Sequence, residues 1–320
     1  MTPDGEPGTV LRVPPLHPGT HDAVAASYPT LDLPAEGREE FLARHGAEVV
    51  AIVCSNFSPV GADLIEALPR LGMIANFGVG YDNIDLAAAL SRGIAVSNTP
   101  GVLDPAVAEH AIALLLAVRR QVVAADRYVQ EGRWPRGPFP LTGQVAGSHV
   151  GILGLGRIGQ AVATRVEALG ATVSYHNRRP VPGVPYAYLP SPVALAAAVD
   201  SLIVVVPGGA ATDGLVDAEV LDALGPDGVL VNVARGSVVD EQALVAALDS
   251  GRLGGAGLDV FRDEPRVPAA LLGRDDVVLQ PHTASGTVTT RAAMGALTLD
   301  NLAAWMRGEP LLTPIPETTG

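Results

Sequence analysis

His149-Val-Gly-Ile-Leu-Gly-Leu-Gly-Arg-Ile-Gly159 is a short apolar run that closes in Gly154-x-Gly156-x-x-Gly159. The run reads as a buried strand. The segment after it, Arg157 to Leu169, carries Ile158, Ala161, Val162, Val166 and Leu169 at helical spacing. A second β-like run, Ala171 to Tyr175, completes a strand–helix–strand unit. Glycines at such a turn bring backbone amides onto a pyrophosphate at the helix N-terminus. With 36 glycines in the chain the bare pattern is weak, and its place between strand and helix is what gives it meaning. Behind the second strand stand Asn177, Arg178 and Arg179. NAD-binding folds usually hold an acid there for the ribose hydroxyls, whereas an arginine accommodates the 2′-phosphate of NADP. The reading is NADP(H), with NAD(H) second.

Composition narrows the remaining classes. A chain of 320 residues exceeds what one core usually serves, so two domains are expected. At 48% hydrophobic and 17% charged it reads as globular. No apolar run is long enough to span a bilayer, and Met1-Thr-Pro-Asp-Gly-Glu lacks a basic start followed by an apolar stretch. The expectation is a cytoplasmic protein without a membrane partner. All 21 basic residues are arginine, which excludes a lysine Schiff base and a lysine-bearing phosphate loop. A net charge of −13 argues against nucleic acid as a partner. The single cysteine, Cys54, reads as the end of a buried strand, and no metal site is expected.

Residues 1–48 are rich in Pro, Gly and His with weak periodicity, and His17, His21 and His45 are expected at solvated or loop positions. From Val49 onward, β-like and helical patterns alternate: Val49–Val53, Gly61–Leu68, Met73–Phe77, Leu86–Leu90 and Ile94–Val96. The longest helical pattern runs from about Asp104 to Gln130, opened by Asp104-Pro105. Its apolar faces predict burial between domains or between subunits. A Pro- and Gly-rich linker follows (131–141). After the glycine motif, further alternation predicts strands at Leu202–Val206, Val229–Val233, Ala256–Val260 and Val277–Leu279, with helices at Ala218–Leu224 and Glu241–Leu248. A last helix spans Thr287–Met306, and 310–320 reads as a tail. The fold class is α/β, a Rossmann-type doubly wound parallel sheet with a smaller flavodoxin-like α/β domain.

Ligands of open parallel sheets lie beyond the carboxyl ends of strands. Arg235 follows Val229–Ala234, Asp259 and Glu264 flank Val260-Phe261, and His282 follows Val277–Pro281. Together they offer a cation for a carboxylate or carbonyl, an acid–base imidazole, and a carboxylate to orient it.

At these residues the chain resembles the D-2-hydroxyacid dehydrogenase family, and within it the NADPH-dependent glyoxylate/hydroxypyruvate reductases and their hydroxyphenylpyruvate-reducing relatives. The resemblance covers about residues 45–315. Its carriers are Asn76-Phe-Gly-Val-Gly-Tyr-Asp-Asn-Ile-Asp85, Asn98-Thr-Pro-Gly-Val102, Gly132-Arg-Trp-Pro135 and the glycine motif. Further carriers are Asn232-Val-Ala-Arg-Gly236, Gly254-Gly-Ala-Gly-Leu-Asp-Val-Phe261, Asp263-Glu-Pro265 and Pro281-His-Thr-Ala-Ser-Gly286.

The resemblance implies that Arg235 binds the substrate carboxylate and polarises its keto group. It implies that His282 protonates the oxygen as hydride arrives, and that Glu264 holds His282. Val79 and Gly80 would present amides to the carboxylate, and Trp134 would reach a partner subunit's site or simply pack. On the cofactor side it implies Gly154, Gly156, Arg157, Ile158 and Gly159 at the pyrophosphate, and Val233 and Asp259 at the nicotinamide. Val206, Pro207, Ala234, His282 and Ser285 would line the rest of that site, with Asn177, Arg178 and Arg179 at the ribose. Two departures from the family pattern stand out. Asn177 replaces the common acid, and Pro207-Gly-Gly-Ala-Ala-Thr-Asp213 lacks the leucine and threonine usual after that proline.

The resulting expectation is a homodimeric NADPH-dependent 2-oxoacid reductase. Residues 1–100 and 288–320 would bind substrate, and residues 101–287 would bind the dinucleotide. Its rivals are an NAD-dependent phosphoglycerate- or lactate-type dehydrogenase, which Asn177-Arg178-Arg179 disfavours, and a dinucleotide-sensing corepressor on the same fold, for which no interaction tail is recognisable.

Overall fold

A computed structural model describes residues 8–318. The first residues of the chain, on which the reading of a signal-free start rests, lie outside this range. The elements run β1 (Thr9–Arg12), α1 (Pro18–Ser27), β2 (Thr30–Asp32), α2 (Arg38–His45), β3 (Val49–Ser55), α3 (Ala62–Glu66), β4 (Met73–Phe77), α4 (Leu86–Ser91) and β5 (Ala95–Ser97). They continue with α5 (Asp104–Arg119), α6 (Val122–Gln130), β6 (His149–Leu153), α7 (Arg157–Ala168), β7 (Thr172–His176), β8 (Ala187–Tyr188) and α8 (Pro192–Ala196). The remainder is β9 (Ser201–Val204), α9 (Ala218–Leu224), β10 (Val229–Asn232), α10 (Glu241–Asp249), β11 (Gly255–Leu258), β12 (Val277–Leu279) and α11 (Val288–Met306). Among the described residues two compact units result, one of residues 8–103 and 287–318, the other of residues 104–286.

The first unit holds a parallel sheet ordered β2-β1-β3-β4-β5, the flavodoxin-like order. Alternation along β3 sends Ile52 and Cys54 into one apolar layer, and Ala51 and Val53 into another that includes Leu302 and Met306 of α11. Here the structure corrects two readings. Residues 9–48 fold into β1, α1, β2 and α2, although their Pro, Gly and His content masks the pattern. His17 is exposed in the loop before α1, at the N-cap position but without a side-chain capping bond, and stacks on Phe77; His21 instead sits on α1 beside Asp32, and His45 closes α2 against Glu48. The segment read as a tail packs: Ile315 is fully buried, and Pro314 pairs with Ser97. Apolar side chains this close to a sheet edge gain more from burial than a free end gains in entropy.

The second unit holds a seven-stranded parallel sheet ordered β12-β11-β10-β9-β6-β7-β8. The order reverses between β6 and β9, so the glycine motif after β6 lies at the topological switch point. Helices start where polar side chains cap them: Ser191 for α8, Asp217 for α9 and Asp240 for α10 each accept a backbone amide of the first turn.

The long helical pattern from Asp104 breaks in two. Gln121 takes a left-handed φ of 46° between α5 and α6. The Arg119 guanidinium is drawn off to Ser201 Oγ and to the carbonyls of Asp200 and Asp227, which ends the apolar stripe. Within its own unit, α5 packs on the sheet. A Cβ on Gly255 would stand 2.8 Å from Val118, and one on Gly257 3.1 Å from Leu114, so these bare strand positions admit the helix. Four helical residues and two strand residues each advance about 6 Å, which keeps the two in step. The next pair along the same register is His110 and Asp259.

Candidate active site

The three glycines of the β6–α7 turn do different work. Gly154 has a φ of 106°, and a Cβ there would meet Val206 N at 2.9 Å. A Cβ on Gly159 would collide with the Gly154 carbonyl oxygen, so only glycine lets α7 pack against the turn. Gly156, the N-cap of α7, faces open space. This is the cradle a pyrophosphate needs: backbone exposed at a helix N-terminus whose first amides lack helical partners. Arg157 begins α7, with Nε 3.9 Å from Asp104 Oδ2, and its side chain is largely exposed.

Asn177 follows β7, and its Oδ1 accepts the Leu155 amide at 2.5 Å. Its side chain therefore fastens the second strand's end to the glycine turn. Arg178 and Arg179 are exposed, and neither has an ion-pair partner among the described residues. Val206 and Pro207 follow β9. The loop after them is closed by Thr212, whose hydroxyl donates to the Pro207 carbonyl at 2.7 Å, filling the place of the departed family pattern with a local tie.

Three further strand ends carry the candidate acid–base residues. Beyond β10, Asn232 Oδ1 accepts the Ala234 amide at 3.0 Å and Nδ2 donates to the Arg235 carbonyl at 2.9 Å. That brace shapes Val233, Ala234 and Arg235, and the half-buried Arg235 donates through Nη1 to the Ala234 carbonyl. A Cβ on Gly236 would run into the Phe261 backbone, so this glycine holds the Arg235 segment against the loop carrying Glu264. Glu264 Oε1 accepts the Phe261 amide at 2.9 Å, and Oε2 lies 2.7 Å from His282 Nδ1. With the carboxylate on Nδ1, that nitrogen carries a proton, and proton exchange with a ligand would run through Nε2.

His282 has a φ of 54°, uncommon outside glycine, and its neighbours over-determine it. Its amide donates to the Asp259 carbonyl at 2.8 Å. The Asp259 carboxylate, fully buried, accepts the Thr283 amide at 2.7 Å and the Ala284 amide at 2.9 Å. Ser285 follows directly. Asp259 is thus the clamp of the His282 turn, with lone-pair capacity left on its second oxygen for a carboxamide.

Sequence reasoning missed His110, whose Nε2 lies 3.2 Å from Asp259 Oδ1 but off the line of a hydrogen bond. The signal was present: a histidine four residues before Leu114 and eight before Val118, on the stripe that faces β11. Asn76, Asn98 and Asn232 were also missed as individual residues.

In the first unit, Val79 and Gly80 lie in the loop after β4, and Asn76 is the last but one residue of that strand. Trp134 lies beyond α6 and is 65% exposed. Cys54 is fully buried, and that burial pushes its thiol up to about 12, away from the thiolate a nucleophile needs.

A dinucleotide turn combined with a carboxylate-held histidine on neighbouring strand ends defines a pyridine-nucleotide oxidoreductase. Comparison with known proteins agrees. Residues 112–284 match the D-isomer specific 2-hydroxyacid dehydrogenase, NAD binding domain family. The hydroxyphenylpyruvate reductase of Plectranthus scutellarioides is 48% identical over 278 residues, 87% of this chain and 89% of that protein. A glyoxylate/hydroxypyruvate reductase A of Arabidopsis thaliana is 48% identical over 274 residues, covering 86% of this chain and 88% of that protein. The crystal structure of an NADPH-dependent glyoxylate/hydroxypyruvate reductase from Sinorhizobium meliloti, in complex with NADP and malonate, superposes with a TM-score of 0.92 at 46% identity, covering 98% of each chain. The chain belongs to the D-isomer specific 2-hydroxyacid dehydrogenase family. It is an enzyme of the 2-oxoacid reductase type with an NAD(P)-binding domain. Among the described residues no helix is long and apolar enough to cross a membrane.

Proposed function

We propose that this chain is a cytoplasmic, homodimeric NADPH-dependent reductase of small 2-oxoacids such as glyoxylate and hydroxypyruvate. The observation that carries the reading is the Glu264–His282 pair at 2.7 Å, set on strand ends of the same sheet as the glycine turn. The malonate-bound, NADP-bound state of the Sinorhizobium meliloti relative supports a small carboxylate as substrate class.

Bound NADPH supplies the hydride. Arg235 draws in the substrate carboxylate and polarises the keto oxygen. The amides of Val79 and Gly80 take the carboxylate from the first unit's loop. His282 delivers a proton from Nε2 to the keto oxygen, and Glu264 accepts Nδ1–H, holding the ring's tautomer and balancing its charge. The α7 N-terminus at Gly156, Arg157, Ile158 and Gly159 takes the pyrophosphate. Val206, Pro207, Val233, Ala234, Asp259 and Ser285 line the remaining cofactor site. Arg178 and Arg179 take the 2′-phosphate, which an acid at Asn177 would repel. For the dimer, Val122, Val129 and Trp134 present apolar surface on and just beyond α6, which a second copy would cover.

A kinetic panel of glyoxylate, hydroxypyruvate, pyruvate and hydroxyphenylpyruvate, each with NADPH and NADH, tests the reading. Turnover of the small acids with NADPH preferred is expected, and Arg178→Ala should raise KM for NADPH far more than for NADH. Absence of turnover on every acid would sink it.

A further inference from the structure

In the loop after β4 the carbonyls of Gly78, Val79 and Gly80 are all engaged. Asn76 Nδ2 donates to the Gly78 carbonyl at 3.3 Å and to the Gly80 carbonyl at 2.9 Å. Asn98 Nδ2 donates to the Val79 carbonyl at 2.9 Å, and the Thr99 amide donates to the Gly78 carbonyl at the same distance. In a trans peptide the C=O of one residue and the N–H of the next point to opposite sides. Turning the carbonyls of residues 78, 79 and 80 inward therefore turns the amides of Val79, Gly80 and Tyr81 the other way. Successive N–H groups on one side form an anion-binding concavity.

Each asparagine is itself fixed. Asn76 is buried, and its Oδ1 accepts from the Cys54 thiol at 3.5 Å, which sets the amide so that Nδ2 faces the loop. Asn98 is held by the chain that returns after α11. Its amide donates to the Thr313 carbonyl at 3.3 Å, and its carbonyl accepts the Thr313 hydroxyl at 2.7 Å. Thr313 is gripped in turn by the fully buried Asn301 of α11, which accepts the Thr313 amide at 3.0 Å and donates to Thr313 Oγ1 at 2.8 Å.

We infer that Asn76 and Asn98 are positioning residues for recognition of the substrate carboxylate, and that Thr313 acts on the same loop from behind by holding Asn98. The inference rests on the carboxylate role proposed above for Val79 and Gly80. An asparagine that merely closes a turn would contribute to stability alone. A positioning asparagine contributes to the binding of one substrate and not the other.

The test compares Asn98→Asp, Thr313→Val and Thr313→Ser with the unaltered enzyme. KM for glyoxylate, KM for NADPH and the Kd of oxalate by calorimetry are measured. Asn98→Asp places an acceptor against the Val79 carbonyl. Loss of that bond should raise glyoxylate KM and oxalate Kd about tenfold while leaving NADPH within about twofold. Thr313→Val, which keeps the branched shape and removes the hydroxyl, should raise the same two quantities about threefold, and Thr313→Ser should restore them. Folded variants with unmoved oxalate Kd, equal shifts for both substrates, or no rescue by serine would overturn the inference alone. An unaltered enzyme that neither turns over a 2-oxoacid nor binds oxalate defeats the functional reading first, and this inference with it.

Discussion

Alanine placed at each glycine of the β6–α7 turn separates folding from cofactor binding. At Gly156 the backbone has φ −84° and ψ −156°, a region open to alanine, and an added Cβ meets no heavy atom within 4 Å. The unfolded chain loses freedom, which favours the variant by about 0.4–1 kcal/mol, and the poorer N-cap takes back a few tenths. Stability should therefore stay within about 0.5 kcal/mol of the unaltered protein. The methyl group occupies the space through which the helix amides reach a pyrophosphate. Hydrogen bonds to a charged group contribute about 1.5–3 kcal/mol each, so losing one weakens NADPH binding roughly 10- to 150-fold. Gly159→Ala reverses the pattern. Its Cβ collides with the Gly154 carbonyl, backbone that cannot step aside, and overpacking of this kind costs about 1–3 kcal/mol or more. Thermal unfolding and fluorescence titration with NADPH measure the two quantities. A folded Gly156→Ala variant that binds NADPH as tightly as the unaltered chain would refute the assignment of this turn to the pyrophosphate.

Glu264→Gln keeps an oxygen for the Phe261 amide but no charge beside His282, so kcat should fall about 10²-fold with NADPH affinity and unfolding temperature unchanged. Retained kcat would remove Glu264 from the acid–base pair. The buried Cys54 thiol, held up to about 12 against 9.0 for an ordinary thiol, adds a pH dependence to stability. Its folded form stays protonated while the unfolded chain ionises, so the contribution is complete below pH 9.0 and is lost as pH rises toward about 12. Urea unfolding of the unaltered chain should show an extra loss approaching about 1.4 kcal/mol per pH unit across that window, absent in Cys54→Ala. Equal slopes in the two proteins would contradict the thiol's role; the tyrosines whose ionisation burial also delays, Tyr28, Tyr81 and Tyr186, are common to both.

Much of this was legible in the residues. The strand–turn–helix at 149–169 needs only apolar period and glycine spacing, both local properties, and the parallel sheet follows from alternation. Arg235, Glu264 and His282 could be picked out because strand ends are where a parallel sheet exposes polar groups. Other features depended on tertiary partners. The break at Gln121 is set by where the Arg119 guanidinium finds carbonyls, far along the chain at Asp200 and Asp227. Burial of Ile315 depends on a pairing with β5 that the sequence pattern of residues 310–320 does not announce. The helical content of residues 9–48 was hidden because α1 is weakly amphipathic and buries only Thr20 and Val24. His110 was missed for a different reason: a polar residue on an apolar helix stripe looks like a satisfied core position until its facing strand residue is known.

Four asparagines share one role at the strand ends of both sheets. Asn76 is the last but one residue of β4, Asn98 follows β5, Asn177 follows β7 and Asn232 ends β10, and each side-chain amide bonds to main chain beyond a strand end. A parallel sheet leaves the segments at its carboxyl edge without ladder partners, so their peptide groups need another source of hydrogen bonds. An asparagine supplies a donor and an acceptor in the geometry of a peptide, and at these strand ends it replaces the missing neighbour. The choice of which peptide groups it engages then decides what the loop offers outward. Asn76 and Asn98 engage carbonyls and turn amides out, which suits an anion. Asn232 engages the Ala234 amide and the Arg235 carbonyl, fixing the backbone from which Arg235 projects. Asn177 engages the Leu155 amide inside the glycine turn, and no acid is then left at that position to repel a 2′-phosphate. An aspartate at any of the three donor positions would lose the N–H that holds a carbonyl. The sequence motifs around Asn76, Asn98 and Asn232 therefore carry an electrostatic requirement, an uncharged amide donor behind the loop, as well as a shape.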